Sequence, residues 1–169
     1  MEAGKFKSEI ARVEIPGKKG PTVVDTDEGP RKDTSLEALA KLKPAFKPDG
    51  KVTPGNSSPM NDGGAAVVIS SREYAEKNNL KPMARIVGYA QAAVEPKYLF
   101  AAPAYTIPKL LKKIGWTLND VDLIELNEAF AAQVLADGYA LADRGWDWDK
   151  VNVNGGAVAL GHAIGQSGS

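Results

Sequence analysis

The chain has 169 residues, with 21 basic against 21 acidic side chains, one histidine and no cysteine. Its length allows one domain with a real core, burying roughly two thirds of the unfolded surface. Balanced charge gives no field to draw in a nucleic-acid backbone or an anionic membrane, and the missing thiols exclude disulfides, thiolate metal sites and a thiol nucleophile within these residues.

No apolar run approaches the roughly 20 residues of a membrane span. Met1-Glu2-Ala3-Gly4-Lys5 carries mixed charge where an export signal would be basic and then apolar. The chain therefore reads as soluble and cytoplasmic, the N-terminus of any longer parent lying out of view.

Residues 1–60 are rich in turn formers: Pro16-Gly17, Gly20-Pro21, Gly29-Pro30, Pro48-Asp49-Gly50 and Pro54-Gly55. They read as a loop region, lid-like, with short strands over 11–15 and 21–24. One helix is expected over 35–42, capped by Thr34 or Ser35, faced by Leu36, Leu39 and Ala40, and ended by Pro44.

Near Asn61 the pattern changes to strands alternating with helices. A strand is expected over 65–69, and Ser70 with Glu73 forms a capping box for a helix running to Lys77. After Pro82 comes a second strand, 84–90. Ile107, Leu110, Leu111 and Ile114 recur at helical spacing before Gly115. A third strand follows over 122–126, a helix over 129–142 and a fourth strand over 151–153. Strands joined by crossover helices imply an α/β fold with a helix-covered sheet. The tail ends at Ser169 before a helix or further strands can follow its glycine-rich turn, so residues 61–169 read as an incomplete layered domain. Apolar surface left uncovered there would mark an interface or an aggregation hazard.

Two groups suited to hydrogen-bonding a polarised carbonyl stand where strands give way to turns or helices. Asn127 opens the box Asn127-Glu128-Ala129-Phe130, and His162 lies in the glycine-rich tail that begins at Asn152. Each has a plainer reading: Asn127 as a helix cap for amides near Phe130, His162 as a surface or helix-end residue. The stretch 55–63, Gly-Asn-Ser-Ser-Pro-Met-Asn-Asp-Gly, is by itself ordinary turn chemistry. Gly156 to Gly161 has the spacing of a phosphate loop, but His162 and Ala163 occupy the lysine and hydroxyl positions, which excludes that use. Asp25, Asp27 and Glu28 lack calcium-loop spacing and read as a solvated acidic loop, so no metal site is expected. Trp146 and Trp148 are expected in packing or an interface.

The Asn-Glu-Ala-Phe box, the Gly-Gly segment with its Gly-His and the Asn-Ser-Ser-Pro stretch together resemble the thiolase family over essentially the whole chain. Sterol-carrier-type thiolases differ in carrying His-Asp-Cys-Phe at the box, and ketoacyl synthases in using a second histidine. The resemblance implies a partial thiolase-like α/β fold: an internal to C-terminal slice of a protein more than twice as long, with one cysteine nucleophile upstream and a second catalytic cysteine downstream. It implies acyl transfer between coenzyme A thioesters, by condensation or its reverse, with no permanently bound cofactor. His162 would take the proton of the nucleophilic cysteine and hydrogen-bond the thioester oxygen through Nε2. Asn127 would hold a water completing the oxyanion hole. Ser58 would meet the pantetheine arm, Arg31 the adenine, Phe46 the coenzyme tunnel and Phe130 the acyl pocket. Family members are usually dimers or tetramers. Ala163 departs from the family, which has proline after the histidine, and frees the backbone there. Three readings stay open: the coenzyme-binding and oxyanion half of an acyltransferase, inactive alone; a truncated or split product that folds against another polypeptide; and a stand-alone coenzyme A binding module.

Overall fold

The computed structural model describes residues 3–168; Met1, Glu2 and Ser169, the outermost residues of the two predicted regions, lie outside the described residues. Within the loop region, β1 (Val13–Ile15) and β2 (Thr22–Val24) pair antiparallel, with Val13 opposite Val24 and Ile15 opposite Thr22. The turn closes through the Gly20 amide donating to the Gly17 carbonyl at 3.1 Å, with Gly20 at φ +110°. Both strands fall within the expected stretches. Helix α1 (Leu36–Ala40) begins where Ser35, in extended backbone, accepts the Ala38 amide at 3.1 Å, and it ends two residues earlier than expected, ahead of Pro44.

Helix α2 (Arg72–Lys77) is capped by Ser71, one residue later than the Ser70 expected from sequence. Ser71 has the extended backbone a cap needs and accepts the Tyr74 amide at 3.1 Å. Glu73 then falls in the first turn without the reciprocal geometry of a capping box. Its own backbone amide, and next the Ser71 hydroxyl, hold its carboxyl below the usual value.

Helix α3 (Ala102–Ile114) follows a 3-10 segment, Pro96–Ala101. Gly115 ends it at φ +74°, and the amides of Gly115 and Trp116 both fold back to the Leu111 carbonyl, a Schellman-type termination that requires the left-handed residue glycine supplies. Helix α4 (Ala131–Ala140) is shorter than the expected 129–142: extended Phe130 precedes it, and the chain tightens into a 3-10 turn, Ala142–Arg144. Leu111, Leu118 and Leu141 form the buried core under α3 and α4, with Ile107, Val121, Ile124 and Trp146 packed around them. Trp146 and Trp148 meet edge to face at 5.5 Å, and Trp148 lies against Gly138 of α4, so the pair serves packing. A further single-turn helix, α5 (Ala157–Leu160), forms inside the glycine-rich tail, where no completed helix was expected.

The strands of the layered region are largely unformed. The third and fourth meet only at Ile124 and Val151, a parallel contact in which the Ile124 amide donates to Lys150 O and the Asn152 amide to Ile124 O, each at 2.9 Å. No strand is assigned over 65–69 or 84–90 among the described residues. The reason is that a strand is completed by its neighbour, whereas a helix satisfies its own backbone. The pleat is nonetheless present: Gly88, Ala90, Ala92 and Val94 are half-buried while Val87, Tyr89, Gln91 and Ala93 are exposed. Gly88 lies so close to Leu110 and Ile114 that a side chain there would collide with α3. Along one edge, Lys109 and Lys113, one helical turn apart, donate to the alternate carbonyls of Gln91 and Tyr89 at 2.6 and 3.0 Å. Val68 and Ile69 are exposed. Among the described residues no helix is long and apolar enough to cross a membrane.

Candidate active site

Three segments far apart in sequence meet at the ends of the Ile124 and Val151 contact. Residues 56–60 run as an extended strap beside the box: Ser57 pairs antiparallel with Phe130, the Ser58 amide donates to Ala129 O at 3.2 Å, and the Ala131 amide donates to Asn56 O at 2.9 Å. The same strap continues to the tail, where the His162 amide donates to Pro59 O at 3.1 Å and Met60 pairs with His162. The stretch read as turn chemistry is therefore the tie that brings the two boxes together.

At their meeting point Asn127 Nδ2 lies 3.3 Å from His162 Nε2, across 35 residues of sequence. Asn127 stands three residues before the Phe130 cap of α4 and does not cap it; its amide is turned to the histidine. Two nitrogens at this separation can both donate to one oxygen about 2.8 to 3.0 Å from each. With the ring proton on Nδ1 instead, the amide donates to Nε2 and the pair satisfies itself. His162 is half-buried, and its Nδ1 is buried with no hydrogen-bond partner among the described residues.

The other predicted residues divide. Ser58 is half-buried beside the box, its hydroxyl donating to Ala129 O at 3.0 Å, which leaves the oxygen's lone pairs to accept. Phe130 meets Phe46 edge to face at 6.2 Å. Phe100 joins them at 5.1 Å from Phe130 and completes an apolar wall that sequence reading missed; an aromatic in the 3-10 segment ahead of α3 carries no local signal of it. Arg31 is bound elsewhere: it is exposed and donates to Asp33 at 3.0 and 3.3 Å. The Asp33 side chain, ahead of its charge, raises the Arg31 pKa through hydrogen bonding.

Also missed was what holds the box in place. Asn152, in left-handed backbone at φ +47°, accepts the Leu126 amide and donates to the Leu126 carbonyl, both at 2.8 Å, as a neighbouring strand would. Its Nδ2 also donates to Glu128 Oε1 at 3.1 Å, and Glu128 Oε2 accepts the Val158 amide at 3.0 Å in the first turn of α5. Two asparagines before paired glycines announce a turn but not this role. Gly161, at φ +97° and pressed against Asn61, then swings the chain from α5 into His162.

Comparison with known proteins agrees over the full length. Residues 1–73 match the family model of the thiolase N-terminal domain, and residues 80–169 that of the thiolase C-terminal domain. The chain is 52% identical over 170 residues to an acetyl-CoA acetyltransferase of Allochromatium vinosum, covering 100% of this chain and 42% of that protein. Among solved structures, the Bacillus anthracis acetyl-CoA acetyltransferase superposes with a TM-score of 0.88 at 48% identity, over 99% of this chain and 42% of that one. Human mitochondrial 3-ketoacyl-CoA thiolase in complex with CoA superposes at 0.86 and 46% identity, over 99% and 40%. The chain thus spans less than half the length of the relatives it matches. On these matches, and with a fold that is a partial α/β domain of the same kind, the chain belongs to the thiolase family.

Proposed function

We propose that this chain supplies the oxyanion-stabilising and coenzyme-contacting half of a thiolase active site. The site would act on coenzyme A thioesters, condensing two acetyl-CoA to acetoacetyl-CoA or running the reverse thiolysis. The observation that carries the reading is the approach of Asn127 Nδ2 to His162 Nε2 at 3.3 Å. Claisen condensation places negative charge on a thioester oxygen, and neutral donors of modest acidity stabilise that enolate without protonating it outright. Preorganised donors of this kind are typically worth about 3 to 4 kcal/mol of barrier each. His162 gives a hydrogen bond through Nε2 in this step and takes the nucleophile's proton during acyl transfer; Asn127 acts through a held water. Ser58 receives the pantetheine arm, with Phe46 and Phe130 along the tunnel and acyl pocket and Arg31 turning from Asp33 to the adenine. Residues 1–60 form the coenzyme-contacting loop region and 61–169 the truncated C-terminal domain. No cofactor stays bound, and the setting is cytoplasmic.

The chain has no cysteine, so both thiols must come from elsewhere in the working enzyme. Purified chain is expected to show no thiolysis of acetoacetyl-CoA. Turnover by the chain alone would refute this division of the site.

A second reading, that the chain folds and works only against a further polypeptide, is favoured by two observations. The pleated stretch 87–94 is half-buried on one side only, and the buried His162 Nδ1 has no partner among the described residues. Coexpression with the remainder of the Allochromatium vinosum enzyme is expected to raise solubility and restore thiolysis. Unchanged solubility and activity would leave the chain a simple truncation. Assembly as a homo-oligomer belongs to that completed protein. Titration calorimetry of the well-folded chain with coenzyme A tests the reading as a stand-alone coenzyme binder, which the absence of heat would remove.

A further inference from the structure

Asn127 and His162 sit on loops, yet their side chains must hold a fixed separation to act on one atom. Misplacement by about 1 Å is enough to cost on the order of a hundredfold in rate. What fixes them is a single polar network. Asn152 grips both backbone groups of Leu126, immediately before Asn127. It also binds the carboxylate of Glu128, immediately after Asn127. The other oxygen of that carboxylate accepts the Val158 amide and so holds the first turn of α5, the element that leads through Gly161 into His162. The four residues are half-buried, where such hydrogen bonds are geometrically restrictive.

Two features show that the network is built in at a cost. Asn152 occupies the left-handed region, which a side-chain-bearing residue adopts rarely and asparagine most readily. Gly156 carries no side chain where any Cβ would collide with the Glu128 carboxyl group.

We propose that Asn152 and Glu128 are positioning residues that set the separation of Asn127 from His162, Asn152 through Leu126 and Glu128 through α5. The proposal rests on the reading of Asn127 and His162 as a working pair and adds to it the residues that hold them. Glu128 touches no substrate; its two carboxyl oxygens serve as acceptors, one for Asn152 and one for Val158.

His162 is the only histidine, so the full chain labelled with 15N-histidine gives the signals of one imidazole. Asn127→Ala is measured first and is expected to move both ring-nitrogen signals, which makes them a report on the pair. Asn152→Asp keeps size, left-handed tolerance and the acceptor for the Leu126 amide, but it loses both donors and sets a second carboxylate beside Glu128. Glu128→Ala removes the link to α5. Both are expected to shift the imidazole signals in the same direction as Asn127→Ala, or to split them into several conformers, with unchanged far-ultraviolet circular dichroism. Glu128→Gln, which can still accept from Val158, is expected to give a smaller shift. Leu118→Ala, a core substitution of comparable destabilisation, is expected to leave the signals in place. If Asn127→Ala itself leaves the ring signals unmoved, the paired site fails. If it moves them while Asn152→Asp and Glu128→Ala do not, the pair stands and the positioning role is overturned. Should Glu128→Ala not fold, Asn152→Asp and Glu128→Gln decide by the same shifts.

Discussion

Gly156 precedes α5 with φ −143° and ψ −172°, extended backbone that any residue adopts, so alanine there meets no conformational penalty. The obstacle is steric. A Cβ on Gly156 falls inside contact distance of the Glu128 carboxyl carbon and both its oxygens. The carboxylate must swing away and release the Val158 amide at 3.0 Å and Asn152 Nδ2 at 3.1 Å. Two half-buried hydrogen bonds, at about 1 kcal/mol net each, give a loss of about 2 kcal/mol. Against this stands a gain of about 0.5 kcal/mol from the reduced freedom of alanine in the unfolded chain. Gly156→Ala is therefore expected to destabilise by about 1.5 kcal/mol. In the Glu128→Ala background nothing is left to displace, and the same substitution is expected to stabilise by about 0.5 kcal/mol. Urea unfolding followed by fluorescence of the three tryptophans measures all four corners of the cycle. Equal costs in the two backgrounds, within about 0.5 kcal/mol, would refute the reasoning.

Leu141 is 1% exposed at the centre of the core, and Leu141→Ala is expected to cost about 3 kcal/mol. In thermal melts that is a fall of roughly 6 to 12 °C for a chain of this length, and a fall under about 3 °C would remove Leu141 from the core's centre. Asp137, buried in α4, has its carboxyl pushed above the usual value by burial; hydrogen bonding from Gln133, at 2.7 Å, and next the Ala104 amide work the other way. The native state therefore holds that proton more tightly than the unfolded chain. Its contribution to stability is fully present below the unfolded value of 3.8 and is lost as pH rises through the folded one. Asp137→Asn, which still accepts from Gln133, should gain stability relative to the parent as pH rises from acid to neutral. Urea midpoints at the two ends show it, and a gap that shrinks with rising pH would contradict the assignment. Ala163→Pro restores the family's residue after a histidine already held in extended pairing with Met60, the backbone that a following proline favours. A rise in melting temperature of about 2 to 4 °C is expected, and a fall would show that the tail cannot accept the ring.

The helices were legible because their signals are local. Ile107, Leu110, Leu111 and Ile114 share one face within a few turns, Gly115 supplies the left-handed stop, and Ser35 caps the turn it begins. Errors there were of boundary: Ser71 took the cap from Ser70, and α4 started at Ala131 once Phe130 was drawn into pairing with Ser57. The stretches 65–69 and 84–90 failed for a different reason. Burial alternates only over 87–94, and 65–69 is exposed throughout; the hydrogen bonds that make a strand belong to a neighbour absent among the described residues.

The sequence by itself determined which chemical groups this protein brings and the family it resembles: one asparagine in a box, one histidine among glycines, no thiol. It determined helices α1 to α4 too, since each closes its hydrogen bonds within a few residues, whereas α5 was not expected. Only the tertiary structure decided that a strap at 56–60 ties the box to the tail, that Asn127 faces His162 instead of capping α4, and that Asn152 stands in for a strand beside Leu126. Those contacts join residues tens of positions apart, and nothing in a local window distinguishes an asparagine that ends a turn from one that holds an active site together.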